Sequence, residues 1–302
     1  MSTPIGGVCS AVLTPLTAEL EPDAAAAIPY YQGLLSAGCD ALIVLGTTGE
    51  AMSLSTPQRR AFMEALAQSD LPCSRIVVGT GGCAAADAIE LTHAAREYGF
   101  GGALILPPFF FRGVTETQTM GFYDRVFTHA EPAARSIYLY HFPKVSGVPF
   151  TPPLVARMMA EYGEVIAGLK DSSNDLPFVS ALVRDHPELD VFVSSEAHLA
   201  FARDNGLAGC ISARIALWPH LARAAWHGKG DAASQARVRL RALHDVFEGA
   251  DLIAAVRALT ATAEKDDGWN RLLPPLRALA PAARAALVER AASAGYALEA
   301  RT

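Results

Sequence analysis

The chain lacks the features that mark several large classes of protein. Its longest apolar runs, such as ALIVL at residues 41–45, are far too short to span a bilayer. Its charges are scattered and sum to −6, so neither nucleic acid nor an anionic membrane is an expected partner. The opening stretch MSTPIGGVCS has no basic segment followed by a long apolar one, so we expect no signal peptide.

Cysteine and histidine are too scattered to indicate disulfides or a metal site. The cysteines are Cys9, Cys39, Cys73, Cys83 and Cys210. They form no CxxC pair, and an odd number with mostly apolar neighbours fits a reducing cytoplasm. The eight histidines form no HxH or HxxxH pair. We therefore predict a cytoplasmic protein with no metal site.

Lysine is scarce, and its scarcity leaves few candidates for amine chemistry. The lysines are Lys144, Lys170, Lys229 and Lys265. Lys144 follows a proline in a predicted turn, and Lys229 and Lys265 lie in the polar stretches HGKGD and EKDDG. Only Lys170 directly follows an apolar run, VIAGL at 165–169. Lys170 is therefore the first residue to consider for a chemical role.

Short apolar runs that alternate with helical patterns predict the fold. The runs are GVCSAVL (7–13), ALIVL (41–45), RIVVG (75–79), GALIL (102–106), SIYLY (136–140), VIAGL (165–169), DVFVS (190–194) and GCIS (209–212). Strand and helix alternation calls for a parallel sheet, and eight such units close into an α/β (β/α)8 barrel. An open doubly wound sheet is less well supported, because GTGGCA only partly matches the pattern GxGxxG.

The pattern changes after the eighth run, where helical periodicity continues without strands. Amphipathic helices are predicted within residues 231–249, 251–264 and 280–295. We predict a barrel domain at 1–228 that carries the active site. A C-terminal helical bundle at 229–302 would pack on it, although these helices could instead be additional members of the outer ring.

In a barrel of this kind, side chains at the carboxyl ends of the strands face the active site. Alternation places Gly168 and Lys170 on one face of the sixth strand and Leu169 on the other. A lysine in an apolar lumen loses solvation, which disfavours the ammonium and leaves a free amine that attacks carbonyls. The alternative is a lysine that reaches solvent and pairs with Asp171 or Asp175.

Two further strand ends carry candidate groups. Tyr140 ends the fifth strand. Neighbouring parallel strands are about 4.8 Å apart, so the Tyr140 phenol can meet the Lys170 amine at the end of the sixth strand and shuttle protons. GTTGE at 46–50 offers two hydroxyls and exposed backbone N–H groups, a suitable cradle for a small carboxylate. An ordinary loop rich in Gly and Thr is the alternative for this stretch.

Taken together, GTTGE, YHFPKVSG and GLKDSSND resemble the class I pyruvate-dependent aldolase superfamily. This superfamily includes dihydrodipicolinate synthase, N-acetylneuraminate lyase and 2-keto-3-deoxy-sugar-acid aldolases. The resemblance extends from GVCSAVLTPLT near the start to LPPLRALAPAARAALVERAAS near the end. It implies a barrel with C-terminal helices and an assembly of two or four copies. It also implies small-molecule substrates, pyruvate and an aldehyde, with no metal or organic cofactor.

The resemblance also implies roles for individual residues. Lys170 would form a Schiff base with the keto carbon of pyruvate or another 2-oxo acid, and Tyr140 would be the proton shuttle. The pyruvate would be held by Gly46, Thr47, Thr48 and the backbone carbonyl near Ile211.

Two positions depart from dihydrodipicolinate synthases. Val145 stands where those enzymes have an arginine that binds the carboxylate of the aldehyde partner. Phe110 stands where they lend a tyrosine across the dimer, and phenylalanine cannot relay a proton. The sequence thus favours a lyase acting on a 2-keto-3-deoxy sugar acid or a related 2-oxo acid. A dehydratase of such an acid and a non-catalytic 2-oxo-acid binding protein remain open alternatives.

Substrate choice is expected to depend on residues away from the Schiff base. The PKVSG segment at 143–147 is closer to the P-x-x-S-G of sialic acid lyases and sugar-acid aldolases. The candidates for substrate choice are Ser195, Glu196, Ser212 and Arg214. Glu196 would accept hydrogen bonds from sugar hydroxyls, and Arg214 would bind a distal carboxylate or phosphate. The alternative is that these are surface polar residues or that the two pair with each other. His141 is expected to pack behind the site or within the loop, and contact with the substrate is the alternative.

Overall fold

A computed structural model describes residues 5–296 of the chain. Its strands are β1 Gly7–Ala11, β2 Ala41–Val44, β3 Ile76–Gly79, β4 Gly102–Ile105, β5 Ile137–His141, β6 Ile166–Asp171, β7 Asp190–Val193 and β8 Gly209–Ser212. Each strand pairs in parallel with the next, and β8 pairs with β1 to close the barrel. Every predicted apolar run contains or overlaps one of these strands, so the predicted (β/α)8 barrel is confirmed.

The helices surround the barrel and continue beyond it. They are α1 Ala24–Ser36, α2 Thr56–Ala67, α3 Ala85–Glu97, α4 Glu116–Ala130, α5 Pro143–Ser146, α6 Pro152–Tyr162, α7 Leu176–Asp185, α8 Leu199–Asp204, α9 Pro219–His227, α10 Gly230–Asp245, α11 Leu252–Glu264 and α12 Pro281–Ser293. Side chains such as Asp23, Ser55 and Thr115 cap helix N-termini by accepting amide hydrogen bonds. Between residues 5 and 296, no helix is long and apolar enough to cross a membrane.

The strands separate two buried layers of apolar side chains, because successive side chains point to opposite faces. One layer packs under the helices, and the other fills the lumen. Tyr138 fills the amino-terminal part of the lumen, where its hydroxyl accepts a hydrogen bond from the Ile5 amide at 3.1 Å. Gly168 makes room for it, since a Cβ there would lie 3.0 Å from the Tyr138 ring and 2.3 Å from the Asp190 carbonyl oxygen. The lumen is therefore packed there.

The C-terminal helices α10, α11 and α12 follow the barrel without another strand in the described part of the chain. Their apolar residues, including Leu240, Leu243 and Leu259, belong to the same buried cluster as the outer layer of the barrel. The C-terminal helical appendage is therefore confirmed as a feature of the fold. The division into domains at residue 228 stays a prediction.

Candidate active site

A cavity of about 650 Å³ opens at the carboxyl ends of the strands. Of the residues predicted from the sequence to form the site, it is lined by Thr47, Thr48, Tyr140, Lys170, Ser195, Ile211, Ser212 and Arg214. Gly46 and Glu196 are not part of the cavity wall. The fold thus brings most of the predicted residues to one place, and Glu196 lies behind them.

Lys170 and Tyr140 are opposite each other on neighbouring strands β6 and β5. Each is 5% exposed, and the Lys170 Nζ lies 4.3 Å from the centroid of the Tyr140 ring. The amine is therefore inside the barrel mouth, and it has no ion pair with Asp171 or Asp175 among the described residues. A lysine placed over the face of an aromatic ring is attracted by it, so this contact helps to hold the Lys170 side chain in position.

Thr47 extends this pair into a line of hydroxyl groups. Its Oγ1 lies 3.3 Å from the Tyr140 hydroxyl. The preceding Leu45 has a positive φ of 51°, and its carbonyl oxygen approaches β3 so closely that a Cβ on Gly79 would lie 2.1 Å away. The glycine therefore allows the tight turn that brings Thr47 to Tyr140.

The end of the same loop is held from behind by the C-terminal part of the chain. The Glu50 carboxylate accepts hydrogen bonds from Arg257 Nε at 2.6 Å and from the Leu273 amide at 2.8 Å. Arg257 is fully buried on α11 and also donates to the Thr14 carbonyl at 2.7 Å. Our sequence analysis missed this residue, although an arginine inside the apolar pattern DLIAAVRALTATAE was an available signal.

His141 and Asp171 lie next to the reactive pair but on the reverse face of the strands. The His141 Nδ1 is 3.1 Å from Asp171 Oδ1, and both side chains are buried. Asp171 also accepts hydrogen bonds from the Ser173 hydroxyl at 2.7 Å and from the backbone N–H of Asn174 at 3.1 Å. His141 packs against Phe178, with the ring centroids 4.6 Å apart. The predicted packing position of His141 therefore matches the structure.

Glu196 is the buried centre of a polar cluster behind the cavity wall. Its Oε2 accepts a hydrogen bond from the Ser212 hydroxyl at 2.6 Å, and its Oε1 is 3.0 Å from His244 Nδ1. Arg214 approaches the same Oε1 at 3.5 Å. Burial by itself raises the pKa of Glu196, but the His244 hydrogen bond, the Arg214 charge and the Ser212 hydrogen bond outweigh it. The pKa of Glu196 is therefore held below its usual value, and the group is ionised at neutral pH.

His244 is the second residue that sequence analysis missed. It lies on α10, outside the predicted barrel domain, yet it lines the cavity. Its Nδ1 is 3.3 Å from the Ser195 hydroxyl as well as 3.0 Å from Glu196. A single histidine in a predicted surface helix carries no signal of such a role.

Within residues 5–296, no three His, Cys, Asp or Glu side chains are grouped so that they could hold a metal ion.

A model of the Dihydrodipicolinate synthetase family matches residues 4–292. The chain belongs to this family. An uncharacterized DapA-like lyase of Chloroflexus aurantiacus is 36% identical over 94% of this chain and 96% of the relative. A putative 2-dehydro-3-deoxy-D-gluconate aldolase, YagE of Escherichia coli, is 28% identical over 68% of each chain. A solved dihydrodipicolinate synthase from Agrobacterium tumefaciens has a TM-score of 0.88 and 27% identity, covering 95% of this chain and 98% of that one.

The two positions that distinguish this family member from dihydrodipicolinate synthases each follow the carboxyl end of a strand, β5 for Val145 and β4 for Phe110. Val145 lines the cavity and is 42% exposed. Phe110 is 73% exposed and stacks edge-on against Phe111, with ring centroids 5.3 Å apart. Phe110 does not line the cavity of this chain. Neither side chain offers a charged or ionisable group to a substrate.

Proposed function

We propose that this member of the dihydrodipicolinate synthetase family is a Schiff-base-forming aldolase. It would break, or in reverse form, the carbon–carbon bond between pyruvate and an aldehyde. The substrate would be a 2-keto-3-deoxy sugar acid or a related 2-oxo acid. One observation carries the proposal: the buried Lys170 amine lies over the Tyr140 ring at the wall of a cavity, with Thr47 beside the phenol.

The first half of the reaction joins Lys170 to the substrate. The amine adds to the keto carbon, and the resulting carbinolamine loses its hydroxyl as water to leave an iminium. Tyr140 would supply the proton that the departing hydroxyl needs, and Thr47 would keep the phenol oriented. Thr48 and the backbone near Ile211, which line the same cavity, would contact the 2-oxo acid.

The second half cleaves the substrate. Removal of the proton from the hydroxyl at the fourth carbon drives cleavage of the bond between the third and fourth carbons. The electron pair passes into the iminium and gives an enamine, while the aldehyde departs. Protonation of the enamine and attack by water then release pyruvate and restore the free amine. The imine acts as the electron sink, so the proposed steps require no metal or organic cofactor.

Three alternatives differ in the expected product. Dihydrodipicolinate synthase activity is less well supported, because Val145 and Phe110 cannot supply the arginine and tyrosine of those enzymes. A dehydratase would use the same Lys170 adduct but leave the carbon chain intact. A non-catalytic binding protein would hold a 2-oxo acid without turnover. Product analysis on 2-keto-3-deoxy acids separates all of these from an aldolase, which releases pyruvate and an aldehyde.

Trapping the adduct tests the proposal directly. The protein is incubated with pyruvate and borohydride, digested, and mapped by mass spectrometry. We expect one reduced pyruvyl group on Lys170 in the wild type and in Lys229→Arg, because Lys229 is exposed in the loop before α10. Lys170→Arg should carry none. Label on another lysine, or no label in the wild type, would reject the mechanism.

A further inference from the structure

The cavity is larger than a three-carbon acid bound to Lys170 would fill. Its volume is about 650 Å³, and its wall continues from β6 to the short helix Arg214–Leu217 after β8 and to the C-terminal helices α10 and α11. The part of the wall made by Ser195, Arg214 and His244 is called here the Arg214 wall. Whatever aldehyde joins pyruvate must lie in the remaining space, so the chemistry of this wall bears on its identity.

Arg214 has donors that the protein leaves unused. Its side chain is 15% exposed, and its guanidinium carbon lies 5.0 Å from the centroid of the Phe247 ring. Stacking on an aromatic face holds a guanidinium in one plane and leaves its N–H groups free. The Nε is buried and has no hydrogen-bond partner among the described residues. The nitrogen nearest to Glu196 is 3.5 Å from it, longer than an ordinary hydrogen bond.

Glu196 does not need Arg214 to complete its own hydrogen bonds. One carboxylate oxygen accepts from Ser212 and the other from His244. Arg214 therefore compensates the Glu196 charge from a distance while its fork of donors stays available. Such a fork matches the two oxygens of a carboxylate or phosphate and binds them through parallel hydrogen bonds.

The rest of this part of the cavity is also rich in donors and poor in carboxylates. Several serines, Asn174 and Lys144 also line the cavity. Among the described residues, Asp251 is the one carboxylate that lines the cavity, and its Oδ1 already accepts a hydrogen bond from the Ala254 amide. Serine hydroxyls and the asparagine side chain accept hydrogen bonds as well as donate them, so they suit a polyol or an anion alike, and Arg214 decides between the two. The unused donors of Arg214 favour an anion, because Glu196 offsets the charge of Arg214 but does not occupy its fork of N–H groups.

We propose that the Arg214 wall binds an anionic group at the end of the substrate remote from the Schiff base. The aldehyde partner of pyruvate would then be an acidic aldehyde, carrying a carboxylate or a phosphate. Arg214 is the direct ligand, and His244 and Ser195 complete the wall beside it. This inference rests on the proposed aldolase function and specifies its substrate class. The new bond would join the carbon that was the methyl group of pyruvate to the aldehyde carbon, whose oxygen takes up a proton. The enamine thereby returns to an iminium, and water releases the product from Lys170, while the anionic end stays unchanged.

Condensation of pyruvate with matched aldehydes tests the inference. Tartronate semialdehyde and glyceraldehyde differ only in a carboxylate in place of a hydroxymethyl group, and glyceraldehyde 3-phosphate supplies the phosphate. We expect kcat/KM for at least one acidic aldehyde to exceed that for glyceraldehyde about tenfold or more, the range of a charge-assisted bidentate contact. The better of the two acids identifies the anion. Equal or better use of glyceraldehyde would overturn the inference.

Variants of Arg214 assign the preference to this residue. Arg214→Gln should lower kcat/KM for the acidic aldehyde more than the value for glyceraldehyde, so that the ratio of the two falls toward one. Some loss on both aldehydes is expected, because Arg214 also compensates the charge of Glu196. Arg214→Lys should retain part of the preference, since it keeps the charge but not the fork. Arg241→Gln is the matched control, because Arg241 is 67% exposed on α10 and does not line the cavity. Unchanged pyruvate trapping on Lys170 verifies that the site is intact in each variant. Equal losses of kcat/KM on both aldehydes in Arg214→Gln would contradict the inference.

A binding measurement separates failure of this inference from failure of the proposed function. Calorimetric titration with glutarate and with butyrate compares a diacid and a monoacid that need no chemistry. We expect glutarate to bind more tightly, and the difference to disappear in Arg214→Gln. If pyruvate does not label Lys170 but this pattern holds, the aldolase proposal fails and the anion site stands. If pyruvate labels Lys170 but Arg214→Gln binds both acids like the wild type, the inference fails alone.

Discussion

Arg257 and Glu50 form an ion pair that joins α11 to the loop after β2, and their side chains are 0% and 1% exposed. Glu50 has a positive φ of 56°, an unusual backbone conformation for a residue other than glycine. The ion pair holds this turn in place. The same loop carries Thr47 at the cavity. The C-terminal helices therefore contribute to the site by holding the loop from behind as well as by lining the cavity.

Removal of one partner of this pair should destabilise the fold strongly. Arg257→Met leaves the Glu50 charge buried and uncompensated, so we expect a loss of about 3–5 kcal/mol in the free energy of unfolding. Arg241→Met, which breaks the exposed pair with Asp245, should change it by less than about 0.5 kcal/mol. Urea unfolding followed by circular dichroism gives both values. Similar losses of unfolding free energy in the two variants would show that the buried pair stabilises the fold no more than the exposed pair does.

The hydroxyl of Tyr140 should matter to turnover more than to binding. Tyr140→Phe keeps the ring beneath Lys170 but removes the proton relay, so we expect kcat to fall about 10²–10⁴-fold. Thr47→Val should have a smaller effect in the same direction, because Thr47 acts on the phenol at 3.3 Å. Steady-state release of pyruvate measures both. A Tyr140→Phe enzyme with wild-type kcat would remove Tyr140 from the mechanism.

Asp171 should position the two strand ends that carry Lys170 and Tyr140. Asp171→Asn replaces one acceptor oxygen by a donor, so it weakens the contact with His141 and at least one hydrogen bond to the following loop. We expect a loss of about 1–3 kcal/mol in unfolding free energy and slower trapping of pyruvate. Asp175→Asn is the control, since Asn caps a helix about as well as Asp does. Trapping of pyruvate at the wild-type rate in Asp171→Asn would show that Asp171 does not position the strand ends that carry Lys170 and Tyr140.

The ionised Glu196 should make stability dependent on acid pH. Its pKa in the folded protein is below the unfolded value of about 4.3, because His244, Arg214 and Ser212 outweigh the opposing effect of burial. A lowered folded pKa adds stability that is complete above the unfolded pKa and is lost as pH falls through the folded one. The difference in unfolding free energy between wild type and Glu196→Gln should therefore shrink as pH falls below about 4.3 and through the folded pKa. Glu19→Gln, at an exposed loop position, should show no such trend; a difference that is flat to lower pH would contradict the assignment.

Local pattern was enough to predict the barrel and the centre of the candidate site. Strand β6 was predicted from VIAGL, and the alternation of side chains placed Lys170 on the same face as Gly168. Adjacent strands of a parallel barrel have a fixed spacing, so the meeting of Tyr140 with Lys170 followed from their positions at neighbouring strand ends. These features depend on short-range periodicity and on a regular sheet, both of which are written in consecutive residues.

The sequence by itself thus determined the eight-stranded barrel and the buried lysine beside a tyrosine. Only the tertiary structure decided what surrounds them. His244 reaches Glu196 across 48 positions of the chain, and Arg257 reaches Glu50 across 207. Such contacts depend on how the C-terminal helices pack against the barrel mouth. That packing is set by the summed burial of many apolar side chains, so no local pattern reveals which polar groups it brings together.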